Sequence, residues 1–147
     1  MIDNNDADNT NIVSLNLCPS SFDATWNNAT KNALNISHVN IRSLPKNIDS
    51  LRLLYEYSLQ TKFHVIRLSE VWNVSLPQML GLQGYSLEVK CREAPQRGGG
   101  VGAYIHPICT IQGIEFQPCS EACWLSLDWN IISKADLFCW YSIVKSR

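Results

Sequence analysis

Asn40 and Glu70 stand thirty residues apart, each where a strand-like run ends: Val39-Asn40-Ile41-Arg42-Ser43-Leu44 and Leu68-Ser69-Glu70-Val71-Trp72. A helical pattern lies between them. If the two strands run parallel, a crossover helix brings both polar side chains to the same edge of one sheet. One carboxylate and one amide oxygen converging there supply half of a site for magnesium and a phosphate. The other half must come from elsewhere.

The elements that must position these residues are legible from period and punctuation. Residues 1 to 32 are rich in Asn, Asp, Ser and Thr and lack apolar periodicity, which predicts a disordered leader. The folded part is expected over residues 33 to 147. Leu34 to Ile41 reads as a strand, followed by a turn at Ser43 to Pro45. From Lys46 to Gln60, Ile48, Leu51, Leu54, Tyr55 and Leu59 recur at helical steps, with Pro45 favourable at the helix start. Phe63 to Leu68 reads as a second strand, and Leu76 to Leu80 as one helical turn. After Gly84, the runs Tyr85 to Lys90, Val101 to His106, Ile108 to Phe116, Cys123 to Ile131 and Leu137 to Val144 follow without helices between them. They predict a meander that extends the sheet of the first crossover, and an α+β fold class.

Composition narrows the function. The chain has 147 residues, 46% apolar and 17% charged, which suits one soluble globular domain. A net charge of -1 argues against a broadly basic nucleic-acid face and leaves room only for a local patch. No apolar run reaches membrane-span length, and the acidic start lacks the basic and apolar regions of a secretory signal. An intracellular address, nucleus or cytoplasm, is expected. The glycosylation patterns at Asn28, Asn35 and Asn73 then carry no meaning. The six cysteines show no paired metal-ligand spacing and read as free thiols, several of them buried.

Gly98-Gly99-Gly100-Val101-Gly102-Ala103 satisfies a dinucleotide-binding pattern but opens a strand instead of a helix, so that reading fails. These glycines read as a tight turn or a close backbone approach. His38, His64 and His106 lie in or beside strands without a Ser-His-Asp arrangement, and read as packed or surface residues. Trp72, Trp124, Trp129 and Trp140 read as core and sheet-face residues. Arg67, inside an otherwise apolar strand, requires a partner or an exposed edge.

Taken in order, Val39-Asn40-Ile41-Arg42-Ser43-Leu44, Leu68-Ser69-Glu70-Val71-Trp72, Leu82-Gln83-Gly84-Tyr85 and Arg97-Gly98-Gly99-Gly100-Val101-Gly102-Ala103-Tyr104-Ile105 resemble the endonuclease/exonuclease/phosphatase (DNase I-like) superfamily. The likeness is narrower to the endonuclease domain that opens non-LTR (LINE-type) retrotransposon polyproteins, and it covers Ile36 to Ile105. The resemblance implies a four-layer α/β/β/α sandwich and Mg²⁺-dependent nicking of DNA. It implies that Asn40 orients the scissile phosphate and that Glu70 ligates Mg²⁺. Tyr141, in Phe138-Cys139-Trp140-Tyr141, falls where the family places a phosphate-contacting tyrosine, although Ser142-Ile143 follows it in place of Arg-Pro or Ala-Pro. It also implies DNA as partner, no membrane, and a reverse transcriptase in the same polyprotein.

The family's later motifs, an Asp-x-Asn pair and a terminal Asp-His that activates water, do not occur after Tyr141. A nucleophile without a base is poorly activated even beside a metal, so the chain alone is expected to be inactive. The alternatives are a non-catalytic, degenerate retroelement remnant and a phosphatase or phosphodiesterase of the same superfamily. An incomplete sandwich is expected to offer about one sheet and one or two helices. Its uncovered sheet face would expose Trp124, Leu125, Phe138 and Trp140 and leave the isolated chain marginally stable.

Overall fold

The computed structural model describes residues 35–59, 63–92, 98–116, 122–130 and 133–140. The expected leader over residues 1 to 32 and Tyr141 lie outside them. Strand β1 (Ile36–Asn40) leads into helix α1 (Leu44–Arg52), which widens into a π-helical segment (Leu53–Ser58) before strand β2 (Val65–Ser69). Leu44, Ile48, Leu51 and Tyr55 bury one stripe of this helical stretch, at the spacing expected of an amphipathic helix. The helix begins two residues earlier than the expected Lys46, and Pro45 falls in the first turn, where its missing N–H costs nothing. The widening closes on a bond from Leu59 N to Leu54 O of 2.9 Å. It brings the Tyr55 hydroxyl to the Ser37 hydroxyl of β1. The Tyr55 ring also meets Phe63 edge-on, with centroids 5.7 Å apart.

β1 and β2 run parallel, as the crossover requires, with Ile36 opposite Val65 and Asn40 opposite Ser69. Strands β3 (Ser86–Lys90) and β4 (Val101–Ile105) complete a first sheet in the order β1-β2-β4-β3, β4 being antiparallel to both neighbours. A short 3₁₀ turn (Pro77–Leu80) precedes β3. Its Leu80 carbonyl accepts from the buried Tyr104 hydroxyl.

The remaining strands do not extend this sheet, which corrects the meander expected from the sequence. β5 (Thr110–Phe116), β6 (Ala122–Asn130) and β7 (Ser133–Trp140) form a second, antiparallel sheet of their own. The physical reason lies in β4. All five of its residues are buried, so both faces of the first sheet need cover. Helix α1 covers one face, where Ile48, Leu51, Ile66, Leu68 and Tyr104 pack together. On the other face Val65, Ala103 and Ile105 pack against Leu125 and Leu127 of β6, with Cys109 at the turn between the sheets. Leu125 is therefore 2% exposed and not part of an uncovered face, whereas Trp124, directed to the opposite side of the strand, is 43% exposed. The side chains of Phe138 and Trp140 lie outside the described residues.

The class is α+β, with a helix layer and two packed sheets. Cys91 and Cys109 carry free thiols. No helix among the described residues is long and apolar enough to cross a membrane.

Candidate active site

The site is assembled from three backbone segments at the C-terminal ends of β1 and β2. Ile41 N continues the β1–β2 ladder to Ser69 O at 3.0 Å, and Ser43 N donates to Glu70 O at 2.8 Å. Leu44 N, one of the helix-start N–H groups without an internal partner, donates to Val71 O at 3.0 Å. On the other side, Trp72 N donates to Gly99 O at 2.8 Å and Val71 N to Gly100 O at 3.4 Å. The 70–72 segment is thus held between the 41–44 turn and the glycine run.

Among the described residues, every non-glycine with positive φ lies in these two loops: Arg42 at 46°, Ser43 at 84°, Glu70 at 58° and Trp72 at 59°. Such conformations are uncommon for side-chain-bearing residues and persist only where the surroundings over-determine them. The glycine run explains part of that restraint. Gly98, Gly99 and Gly100 all have positive φ, and a Cβ on Gly100 would lie 2.8 Å from Val71 Cγ2 and 2.9 Å from Lys90 O. The expected close backbone approach is therefore real, and no helix follows it.

Glu70 is half-buried, and its Oε2 accepts from Gly99 N at 3.0 Å and from Trp72 Nε1 at 2.8 Å. Trp72 is 40% exposed, so it is a partner of this carboxylate and not the core residue its type suggested. Asn40 is exposed and pairs in register with Ser69, the residue before Glu70. Both expected site residues thus arrive at one edge of the first sheet.

Sequence reasoning missed Asn47. Its Nδ2 lies 2.8 Å from Ile41 O, 2.9 Å from Arg42 O and 3.3 Å from Ser43 O, clamping the strained turn that follows Asn40. A helical Asn four residues after a cap-like Ser was the available signal, but its target is set by tertiary placement.

The histidines are packed or surface residues. His64 Nδ1 accepts from Asn35 N at 2.8 Å, and His106 lies edge-on to Tyr85 with centroids 5.5 Å apart. Burial, and then the neighbouring His106, lowers the His64 pKa below its ordinary 6.5.

Mg²⁺ takes one or two carboxylates and fills its shell with water and phosphate oxygens. Glu70 offers one such carboxylate, and among the described residues no three His, Cys, Asp or Glu side chains converge on a metal position.

Comparison of the chain with protein-family models, with curated proteins and with solved structures gives no match.

Proposed function

We propose that this chain is the N-terminal part of an endonuclease domain of the endonuclease/exonuclease/phosphatase type, from a non-LTR retrotransposon. The complete domain, a four-layer α/β/β/α sandwich, nicks DNA by Mg²⁺-dependent hydrolysis of a phosphodiester. The observation that carries this reading is the parallel β1–β2 crossover, which delivers Asn40 and Glu70 to one sheet edge beside the glycine run.

Glu70 would hold Mg²⁺ through its carboxylate, and the ion would supply Lewis-acid polarisation of the phosphate there. Gly99 and Trp72 fix the carboxylate that does so. The Asn40 amide, presented on an exposed strand end, donates to and orients the scissile phosphate. Proton removal from the attacking water requires a base, a role that neither Asn40 nor Glu70 fills in this reading.

Plasmid nicking in Mg²⁺ by a polypeptide that continues through the Asp-x-Asn and Asp-His motifs tests this reading, with Glu70→Gln beside it. A phosphomonoester assay on the same protein separates it from a small-molecule phosphatase.

A second reading is a non-catalytic retroelement remnant. The two N–H donors on Glu70 Oε2 favour it, because they give the carboxylate a loop-holding role that needs no metal. Nicking by the 147-residue chain above its own Glu70→Gln control argues against it.

A further inference from the structure

At the end of the first sheet opposite Asn40 and Glu70, the four strands finish in one row. Ile36, Val65, Ile105 and Ser86 stand side by side in register. The next position outward on each strand is Asn35, His64, His106 and Tyr85. This outer row is tied by side chain as well as by backbone. Asn35 N donates to His64 Nδ1 at 2.8 Å, and His64 N donates back to Asn35 O at 2.8 Å. His106 N donates to His64 O at 2.9 Å, and the Tyr85 ring stands edge-on to His106. From His106 the chain turns toward the second sheet. Ile108 N donates to His106 Nδ1 at 3.2 Å, and Cys109 N to His106 O at 2.9 Å. Cys109 is buried with Val65, Ile105, Leu125 and Leu127, so this turn is where the two sheets are joined.

Both rings therefore accept a backbone N–H at Nδ1. A backbone amide can only donate, so each bond requires Nδ1 without a proton. An imidazolium is a donor at both nitrogens, and charging either ring sets two N–H groups against each other. Charging both places like charges on neighbouring strands of one row, which is destabilising. The coupling is visible at His64, where burial and then His106 disfavour the charged ring. Tyr85 faces the pair from the β3 side and Cys109 from the turn, with Tyr55 of the helical stretch behind Tyr85. Burial pushes the pKa of each of these three groups upward, so they stay neutral where histidine titrates. The pH response thus falls to the two rings. At the opposite end, Ser43 N to Glu70 O and Trp72 N to Gly99 O are backbone bonds that no such proton removes.

We propose that His64 and His106 form an acid-released clasp, whose protonation frees the start of β1 and the turn between the sheets while the core and the Asn40–Glu70 edge stay folded. Sheet ends open at lower free energy than the centre, which makes this release local. The clasp does not depend on the nuclease reading.

Amide hydrogen exchange of the 147-residue chain, followed by NMR and corrected for the intrinsic rate at each pH, tests it. From about pH 8 to about pH 5, protection of the Asn35, Ile108 and Cys109 amides should fall about tenfold or more, and that of Ile66 and Tyr104 by a smaller factor. In the double variant His64→Asn, His106→Asn, each Oδ1 can accept the same backbone N–H without titrating, at position 106 as an Asx turn. Its acid-dependent loss at the three amides should disappear. Loss by the same factor at the sheet end and in the core overturns the proposal, as does acid loss that persists in the double variant. If that variant does not fold, the ring nitrogen signals of the parent decide. Protonation of the two Nδ1 atoms must coincide with the loss of protection, and loss while both rings remain neutral overturns the clasp.

Discussion

Glu70 and Gly99, twenty-nine residues apart, are joined by a 3.0 Å hydrogen bond from the glycine's backbone N–H to the carboxylate Oε2. Trp72 Nε1 shares that oxygen at 2.8 Å. The bond closes the loop after β2 onto the turn before β4 and holds Glu70 in a left-handed conformation with φ 58°. A residue expected to serve a metal is thus also a structural tie.

Glu70→Ala should therefore destabilise the chain by about 2 kcal/mol, the scale of a hydrogen bond to a charged acceptor. Glu70→Gln keeps a carbonyl acceptor and should cost about half as much. Urea denaturation of the two variants checks the order; equal, negligible losses would mean that the tie contributes nothing.

Gly100 should not tolerate a side chain. Its φ of 84° and the 2.9 Å approach of an added Cβ to Lys90 O set the glycine run against the backbone of β3. Gly100→Ala should cost well over ~1 kcal/mol, whereas Gly113→Ala, with nothing within 4 Å of the added Cβ, should lie within about 0.5 kcal/mol of the parent. Parallel melting curves decide it.

The local parts of this arrangement were readable in the sequence. Ile48, Leu51 and Tyr55 marked the crossover helix, and the glycine run announced a turn into β4. What local pattern does not contain is which strand pairs with which. β4 enters between β2 and β3, and β5 to β7 fold over the first sheet instead of continuing it. The unbroken run without charged or amide residues in Val101-Gly102-Ala103-Tyr104-Ile105 was the available sign that two layers must cover that strand, and all five residues are buried. Arg67 stood out as a charge in an apolar run, but its unpaired Nε is a property of three neighbouring strands. Trp72 was misjudged because its residue type favours cores, while its position two residues after Glu70 makes it a partner of the carboxylate.

Asn47→Ala removes the amide that braces the turn after Asn40. A loss of about 1–2 kcal/mol is expected, as for other groups that satisfy helix-start and turn backbone. In the complete domain the same change should lower nicking without altering its Mg²⁺ dependence, since Asn47 acts through the placement of Asn40. A change in Mg²⁺ dependence would contradict that indirect role.

Acid should weaken the fold through His64. Its Nδ1 accepts from Asn35 N and must be unprotonated to do so. Burial, and then His106, holds its pKa below 6.5, so the unfolded chain takes the proton first as pH falls. The stability this provides is complete above 6.5 and lost as pH drops through the lowered folded value. His38 is shifted in the same direction. The melting temperature should fall between about pH 7.5 and about pH 5, and fall less in His64→Asn, whose Oδ1 can accept the same bond without titrating. An unchanged pH slope in that variant would remove His64 from the account.

In the proposed function, Glu70 serves Mg²⁺-dependent cleavage of DNA. Its most direct test is the rate of supercoiled-plasmid nicking by the complete domain in Mg²⁺, compared between the parent and Glu70→Gln. A roughly hundredfold loss or more is expected in the variant, with its fold retained and the parent's activity abolished by EDTA. Nicking by Glu70→Gln at the parent's rate would contradict it.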